Sequence, residues 1–445
     1  MTAWHEIRDP VHNFIQVTSH ERRVVDTEPV QRLRHIHQLA MSYLVYPGAT
    51  HRRFEHSLGV MHLAGEAFDV LTAPEHLTDE VRDLIPEVTE TNNLDYWRTL
   101  VRMSALCHDL GHLPFSHAAE HQLLPQGYTH ERLSMEIITS PPFSELLKEL
   151  TPPIHAQVLA KLAVGPAKAN AESFSTWEAI LSEIVVGDAF GVDRMDYLLR
   201  DSLHAGVQYG RFDHHRLLST LRILPSAPSG QDDDAAEPVL GVEEGGIHAA
   251  ESLLLARYFM WTQVYLHPVR VMYDAHLQDF LRAWLPEGRF SVDPSQHLAM
   301  TDLEVLAAMR SSCRNLNAAG HDPADRVLNR KHFRRVYDGT PADRAVTLEP
   351  GGAIADALST QYGSDNVKHE KTSAGSGAVE FPVKLLDRSI VSSTSYSDVL
   401  KNLPTISVDR VFVEPSLSHT ARVWLDAHKT QILESAAIAD QEGEH

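Results

Sequence analysis

Residues 105–117 read ALCHDLGHLPFSH. Three histidines and an aspartate stand in a stretch whose apolar neighbours give it the character of a buried helix. Burying such groups without partners is costly, so His108 and Asp109 must satisfy each other or a third party. The pattern predicts a helix over 96–112, interrupted at Pro114. On it His108 and Asp109 point about 100° apart, with His112 one turn beyond His108. A His-Asp pair alone means little. A second one, His321–Asp322 in AGHDPAD, stands in an apparent turn and reads as a solvated loop.

A metal needs more ligands than one pair supplies, and two other segments offer them: His56 in RRFEHSLGV and Asp193 in GVDRMDYLLRD. Two imidazole nitrogens with two carboxylates form a mixed N/O set suited to Mn, Fe, Zn, Ni or Co, less natural for Ca or a purely structural Zn site. The competing reading of His108 and Asp109 is a satisfied core pair.

The rest of the chain is organised around helical periods. Residues 1–24 are short and strand-like, with RDPVHNFIQV a turn followed by alternation. EPVQRLRHIHQLAMSYLV then places Val30, Leu33, Ile36, Leu39 and Ala40 on one helical stripe, with Pro29 acceptable in a first turn. RRFEHSLGVMHLAGEAFDVLT is a second amphipathic helix, and further helical patterns cover 130–139, 144–163, 177–201 and 248–284. Residues 225–238 (PSAPSGQDDDAAEP) read as an exposed loop and 363–378 as a flexible excursion. VTLEP, FPVKLLDRSIV and TISVDRVFVEP have strand character. The expected architecture is mainly α: a helical core over 1–320, a smaller α+β C-terminal lobe over 321–430, and a flexible tail over 431–445.

Composition narrows the classes. A chain of 445 residues, 43% apolar, can bury a sizeable core. Two cysteines, Cys107 and Cys313, cannot build a disulfide framework. With no export-like N-terminal segment, a reducing cytoplasmic setting is expected. No apolar run approaches the roughly 18 residues of a membrane span. A formal charge of −21 disfavours general nucleic-acid binding, so an anionic substrate must meet locally placed cations. The 28 histidines make a metal or proton-transfer site worth seeking.

The order His56, His108–Asp109, Asp193 resembles the HD-domain phosphohydrolases. Longer stretches, PVQRLRHIHQLAMSYLVYPGATHRRFEHSLGV, LCHDLGHLPFSH, YTHE, DRMDYLLRDSLHAG and RYFMWTQVYLHP, narrow the resemblance to the HD-domain deoxynucleoside triphosphate triphosphohydrolases. Within these the chain is similar to the branch of the sterile-alpha-motif and HD-domain enzyme, without the sterile-alpha-motif domain. The similarity is strong over roughly residues 4–284 and weak beyond. It implies cleavage of a dNTP to a deoxynucleoside and inorganic triphosphate, with a metal polarising an α-phosphoryl oxygen and Mg accompanying the nucleotide. It implies that His117 protonates the departing 5′ oxygen, that Glu120 and His130 pair beside the attacking water, and that His112 contacts the α-phosphate.

The same resemblance assigns Arg53, Arg194 and Arg257 to phosphates, and Gln38, Leu39, Tyr197 and Asp201 to the deoxyribose. Asp193, Tyr197 and Asp201 follow at one-turn intervals, so one helix would present a metal ligand and sugar contacts together. Asp26, Gln31 and Arg34 match positions used for guanine recognition in nucleotide-activated relatives. The basic run RVLNRKHFRRVYD, with Arg326, Arg330, Lys331, Arg334 and Arg335, reads either as a solvated helix face or as a phosphate site at a subunit interface. HEIRDPVHN departs from the vertebrate-type pattern at Glu6 and Arg8. The partners so implied are a dNTP substrate, a GTP or dNTP activator, and further copies of the chain in a tetramer. The rival functions are another HD phosphohydrolase, acting on nucleoside monophosphates or cyclic nucleotides, and a nucleotide sensor with little turnover.

Overall fold

A computed structural model describes residues 4–90, 93–116, 120, 123–169, 172–226, 237–374 and 379–443. The protein is mainly α, with three small sheets among the described residues. It divides into two compact units that interleave along the chain. The first comprises Met1–Met260, Leu281–Ala308 and Ala378–Leu403, and the second comprises Trp261–Phe280, Met309–Gly377 and Pro404–His445.

The first unit opens with an antiparallel hairpin, Trp4–Asp9 against Asn13–Thr18, whose alternation buries Ile15 and Val17. Thr18 then caps the helix Ser19–Val25 through a reciprocal pair of bonds with Glu21. The helix Arg53–Leu71 is buried on nearly every side and packs against Leu94–Cys107 and Val192–Ala205. His56 and Asp193 lie on the first and third of these helices, and His108 and Asp109 follow the end of the second. A four-stranded sheet belongs to the same unit, in the order Leu221–Pro225, Pro238–Glu243, Pro382–Lys384, Ile390–Ser392. Its last two strands pair antiparallel within FPVKLLDRSIV, a stretch expected to have strand character.

Several periodic runs are cut shorter than their pattern implies. The stripe Val30, Leu33, Ile36, Leu39, Ala40 is buried, but only Glu28–Arg32 is α-helix, followed by 3-10 turns at Leu33–His35 and Ala40–Leu44. The break has a cause in hydrogen bonding. Ile36 is extended, its carbonyl accepts the Arg53 N–H at 3.0 Å, and the Gln38 N–H goes to the His51 carbonyl at 3.1 Å. These backbone groups pair with residues 51–53 instead of with their own helix. The run 144–163 divides into Phe143–Lys148 and Ala156–Val164 across two prolines, and 177–201 divides at Gly187 and Gly191.

In the second unit, Ile406–Val413 is the central strand of a three-stranded antiparallel sheet between Arg334–Asp338 and Val367–Ala374. The helices Pro350–Tyr362 and Ser418–Gly443 pack their apolar sides into one core with Tyr337, Ile354, Leu358, Val411, Val413, Leu425 and Leu433. Four expectations are corrected here. Residues 367–374 are not a flexible excursion, because they pair in continuous register with Ile406–Val413. VTLEP is no strand and leads into the helix that begins at Pro350. Residues 431–443 continue the last helix, and Leu433 is buried in the core. His321 and Asp322 open the helix His321–Leu328 rather than lying in a loop. The basic run is likewise split, its first part ending that helix and Arg334–Asp338 forming a strand. The expected loop at 225–238 falls largely outside the described residues. Among the described residues, no helix is long and apolar enough to cross a membrane.

Candidate metal centre and active site

The helix Leu94–Cys107 ends one residue before the His-Asp pair, so His108 and Asp109 stand at its exit and not within it. A close crossing forces the turn. A Cβ on Gly111 would lie 2.1 Å from the His130 carbonyl oxygen and 2.4 Å from the Ser134 nitrogen. Ser134 ties the exit down: its hydroxyl donates to the His108 carbonyl at 2.9 Å and accepts the Gly111 N–H at 2.8 Å. The His112 N–H closes back on the Asp109 carbonyl at 3.1 Å. The turn therefore aims His108, Asp109 and His112 inward together.

His56, from the helix Arg53–Leu71, and Asp193, from the helix Val192–Ala205, meet that turn. The His56 Nε2 lies 3.0 Å from Asp193 Oδ1 and 3.7 Å from Asp109 Oδ2. The His108 Nε2 lies 3.2 Å from Asp109 Oδ1 and 3.4 Å from Asp193 Oδ1. Both imidazoles are oriented from behind, with His56 Nδ1 2.8 Å from Asp196 Oδ2 and His108 Nδ1 2.7 Å from the Ala105 carbonyl. Each ring thus turns Nε2 toward the two carboxylates, the arrangement in which a histidine binds metal. His108 Nε2 is buried and lacks a hydrogen-bond partner among the described residues. An orphaned imidazole nitrogen facing carboxylate oxygens fits a divalent transition ion. His56, His108 and Asp193 bring their ligand atoms within 4.8 Å of one another.

The electrostatics favour a cation. Burial disfavours a charged His56, but hydrogen bonds and charge from Asp193 and Asp196 outweigh it and raise its pKa to about 10. Burial pushes the Asp193 carboxyl up, while His108 and His56 hold it below the usual carboxylate range. Burial also works against Asp109, yet Arg53, His108 and His112 keep it well below that range. Arg53 is buried, bonded through Nη1 to Asp109 and through Nε to Ser116 Oγ at 2.8 Å. Of His56, His108, Asp109 and Asp193, the four candidate ligands, Asp193 alone is open to solvent, its side chain 31% exposed.

Asp109 also faces a second group. Its Oδ1 lies 3.1 Å from His112 Nε2, and the His112 ring stacks on that of His130 at 4.0 Å between centroids. His130 Nδ1 is 2.6 Å from Glu120 Oε1, which also accepts the His130 backbone N–H at 2.9 Å. Burial, followed by the positive fields of Arg53 and His130, holds the His112 pKa well below the ordinary value, so the ring is neutral near pH 7. Thr129 caps the helix His130–Thr139 through the Arg132 N–H, which sets His130 at the helix start. His117 lies outside the described residues.

The residues matched to substrate fall into two sets. Arg194, Tyr197 and Arg257 lie together: burial pushes the Tyr197 hydroxyl up, against the pull of Arg194 and Arg257. Arg194 donates to the Gly187 carbonyl at 3.1 Å and to Asp188 at 3.3 Å. Asp201 is buried with its Oδ1 2.7 Å from His51 Nε2, and the Gln38 backbone joins the same place by bonding His51. Leu39 is buried beside Gln38. Apart from these, Asp26 and Arg34 line a cavity of about 260 Å³ with Ile7, Arg8 and Asp9. Arg34 bonds Gln31 at 2.8 Å and covers the Phe54 ring at 3.5 Å, while Gln31 donates to the Val25 carbonyl.

Sequence reading missed the residues that hold these groups. Asp196 and Arg200 are fully buried on the helix that carries Asp193, at a spacing of four, a pairing that DRMDYLLRD displays. Asp302 accepts the His37 N–H at 2.7 Å, the His37 ring at 2.6 Å and the Phe115 N–H at 2.7 Å. Arg32 donates to the His112 carbonyl at 3.0 Å and to Met300 at 2.8 Å. Phe115 and Ser116 both have φ of +57°, a strained backbone that these bonds hold in place.

Residues 53–153 match the HD domain and residues 212–343 the HD-associated region. An uncharacterized protein of Methanocaldococcus jannaschii, MJ1154, is 32% identical over 311 residues, 69% of this chain and 55% of that one. The deoxynucleoside triphosphate triphosphohydrolase SAMHD1 of Homo sapiens is 32% identical over 301 residues, 62% of this chain and 44% of its own. A solved structure of a hypothetical protein from Aquifex aeolicus aligns with a TM-score of 0.76 and 29% identity, covering 95% of this chain and 100% of that one. The chain spans about half the length of the curated relatives it matches.

Proposed function

We propose that the chain, an HD-domain protein that also carries an HD-associated region, is a metal-dependent triphosphohydrolase that splits a dNTP into a deoxynucleoside and inorganic triphosphate. One observation carries this reading: the candidate metal ligands and the candidate proton-transfer residues form a single file in which Asp109 faces both His108 and His112, and His112 stacks on the His130 that Glu120 holds. Phosphoester hydrolysis needs both groups beside one phosphorus atom. The named activity of the human relative supports the choice of a dNTP.

In this reading His56, His108, Asp109 and Asp193 hold one Mn, Fe, Zn, Ni or Co ion, with Mg accompanying the nucleotide. When bound, such an ion polarises a phosphoryl oxygen and lowers the pKa of a water. Glu120 anchors one nitrogen of His130 and so aims the other, which takes a proton from the attacking water. The water oxygen bonds to the α-phosphorus, the bond to the 5′ oxygen breaks, and His117 supplies the proton that oxygen requires. A neutral His112 and the guanidinium of Arg53 meet the α-phosphate, while Arg194 and Arg257 take the outer phosphates. Tyr197 closes the sugar side, with Asp201, Gln38 and Leu39 about the ribose. Regulation would use Asp26 and Arg34 at the cavity beside Arg8, with Gln31 bonded to Arg34, GTP or a dNTP as activator and a tetramer as the assembled form.

The test is chromatography of the products formed from all dNTPs and rNTPs, each with Mn, Fe, Zn, Ni and Co, and with mixtures of nucleotides. Inorganic triphosphate and a deoxynucleoside in equal amounts are expected. Phosphate released from a nucleoside monophosphate would assign the site to another HD phosphohydrolase, and tight nucleotide binding without product would make the protein a sensor.

A further inference from the structure

The turn RDPVHN plays no part in the chemistry above, yet it is wired to a candidate metal ligand. Asp9 closes the turn by accepting the N–H groups of Val11 and His12, both at 2.9 Å. The same carboxylate receives Arg200, Nη1 to Oδ2 at 2.8 Å and Nη2 to Oδ1 at 3.3 Å. Arg200 in turn donates to Asp196 through Nε at 2.8 Å and Nη2 at 2.9 Å. Asp196 then accepts His12 Nε2 at 2.7 Å on one oxygen and His56 Nδ1 at 2.8 Å on the other. Asp196 and Arg200 have no solvent exposure, so water cannot substitute for a lost partner. Gly59 makes the approach possible, since a Cβ there would sit 1.9 Å from Asp196 Oδ1.

We propose that Asp9 and His12 of the N-terminal hairpin are positioning residues for the metal centre, acting through Asp196 and Arg200 to hold the His56 ring, so that the seating of the hairpin sets how tightly the ion is bound. The inference rests on the metal-site reading above. Two features make the hairpin a sensitive part. A two-stranded hairpin is marginal alone. Its outward side chains Trp4 and Phe14 are 53% and 49% exposed, so its seating rests on the inward residues Ile15 and Val17, on the Arg102 bond to the Gln16 carbonyl at 2.8 Å and on the Asp9 and His12 bonds. His12 and His56 compete for nothing on Asp196, because each uses a different oxygen. Loss of the His12 bond leaves the carboxylate held only from the Arg200 side, through Nε on Oδ2 and Nη2 on Oδ1, so it can shift toward the guanidinium and draw its Oδ2 away from His56 Nδ1. Groups that orient a metal-bound histidine typically change affinity by about 10–100-fold when removed.

The experiment measures Mn2+ affinity by calorimetry on the full, metal-stripped chain, which needs no knowledge of substrate. Acting one or two links behind the aiming carboxylate, His12→Ala and Asp9→Asn should each weaken Mn2+ by up to about 10-fold, the lower end of what losing that carboxylate itself costs. His12→Gln, whose amide keeps an N–H for Asp196, should recover most of the loss. Ile184→Val, in the buried core of the same unit, serves as the comparator that lowers thermal stability without touching the chain of bonds. If it weakens Mn2+ as much as His12→Ala, the effect is general destabilisation and the proposal falls. It also falls if His12→Ala and Asp9→Asn bind Mn2+ as wild type does. Should Asp9→Asn not fold, the His12 pair of variants decides alone. A wild-type chain that binds no Mn2+ or other divalent metal defeats the metal-site reading itself, a different result from a wild type that binds and variants that do not differ.

Discussion

Gly59→Ala tests the packing that supports the centre. Gly59 lies three residues after His56 on the helix Arg53–Leu71, so both face the helix Val192–Ala205. An added methyl would stand 1.9 Å from Asp196 Oδ1, 2.7 Å from its Cγ and 2.5 Å from Arg200 Nη2. To reach ordinary contact at 3.4 Å the carboxylate oxygen must retreat by about 1.5 Å. Its bonds to His12 and Arg200 are 2.7 and 2.9 Å long, and such a retreat takes them out of hydrogen-bond range. A helical Gly→Ala change ordinarily gains about 0.5–1 kcal/mol. Here that gain opposes a disrupted buried ion pair, which typically costs about 3–5 kcal/mol. The expected net loss is about 2–4 kcal/mol, or a drop in Tm of roughly 4–12 °C at about 2–3 °C per kcal/mol for a unit of this size. Thermal unfolding followed by circular dichroism on metal-free protein gives the stability, and Mn2+ titration of the folded variant gives the affinity. An unchanged Tm with unchanged Mn2+ affinity would show that the interlock of Gly59, Asp196 and Arg200 does not bear on the centre.

Replacing His108 and Asp109 together by alanine should abolish metal uptake in a chain that still folds, read by metal analysis after dialysis and by circular dichroism; full metal content in that variant would remove both residues from the ligand set. Rates for Glu120→Gln, His130→Ala and the double variant should be non-additive, since one residue acts through the other; losses that multiply would dissolve the pair. Tyr197→Ala should raise GTP hydrolysis relative to dGTP, within the roughly hundredfold that exclusion of one hydroxyl supplies, and an unchanged ratio would put sugar selection elsewhere. For pH, burial and then the Arg32 charge depress the His297 pKa to about 3 from an unfolded value of 6.5. The folded protein keeps this ring neutral while the unfolded chain protonates below 6.5, so its contribution is complete above that pH and declines as pH falls toward 3. Between pH 7.5 and 5 it should cost about 2 kcal/mol in urea unfolding, and His297→Gln should flatten that slope.

What was legible in the sequence was what short-range spacing carries. The strand alternation of Asn13–Thr18, the helix His130–Thr139 with its Thr129 cap, and the one-turn file of Asp193, Tyr197 and Asp201 are each local patterns, and each is seen. The convergence of His56, His108, Asp109 and Asp193 was foreseeable from their ligand chemistry and from the resemblance to the HD-domain phosphohydrolases, not from spacing, because their segments are far apart in the chain. Breaks in periodic runs were harder. Nothing in HIHQLAMSYLV announces that Ile36 will give its carbonyl to Arg53, since the competing partner lies outside the window that defines the pattern. Likewise VKHEKTSA looks polar enough for a loop, and becomes a strand because Ile406–Val413 offers it a full register of hydrogen bonds.

The same limit explains why the supporting carboxylates escaped notice. A histidine has two nitrogens, and a metal site uses both, one for the ion and one for the residue that aims the ring. The sequence displays the histidine but not which acid stands behind it. Asp196 lies 140 residues from His56, Asp302 lies 265 from His37, and Asp201 lies 150 from His51. In each pair the carboxylate is buried, and so is its histidine. A buried carboxylate must find a donor, and a buried imidazole must find an acceptor, so each pair is also a constraint that draws distant segments together. The high histidine content therefore serves two ends at once. Some rings face the candidate centre, and others fasten the hairpin and the 36–38 bend to the helices around them and tie Asp201 to the segment that carries His51. Substituting the acid behind a ring should consequently move the function of that ring before it unfolds the chain, and this separates an aiming carboxylate from a merely stabilising one.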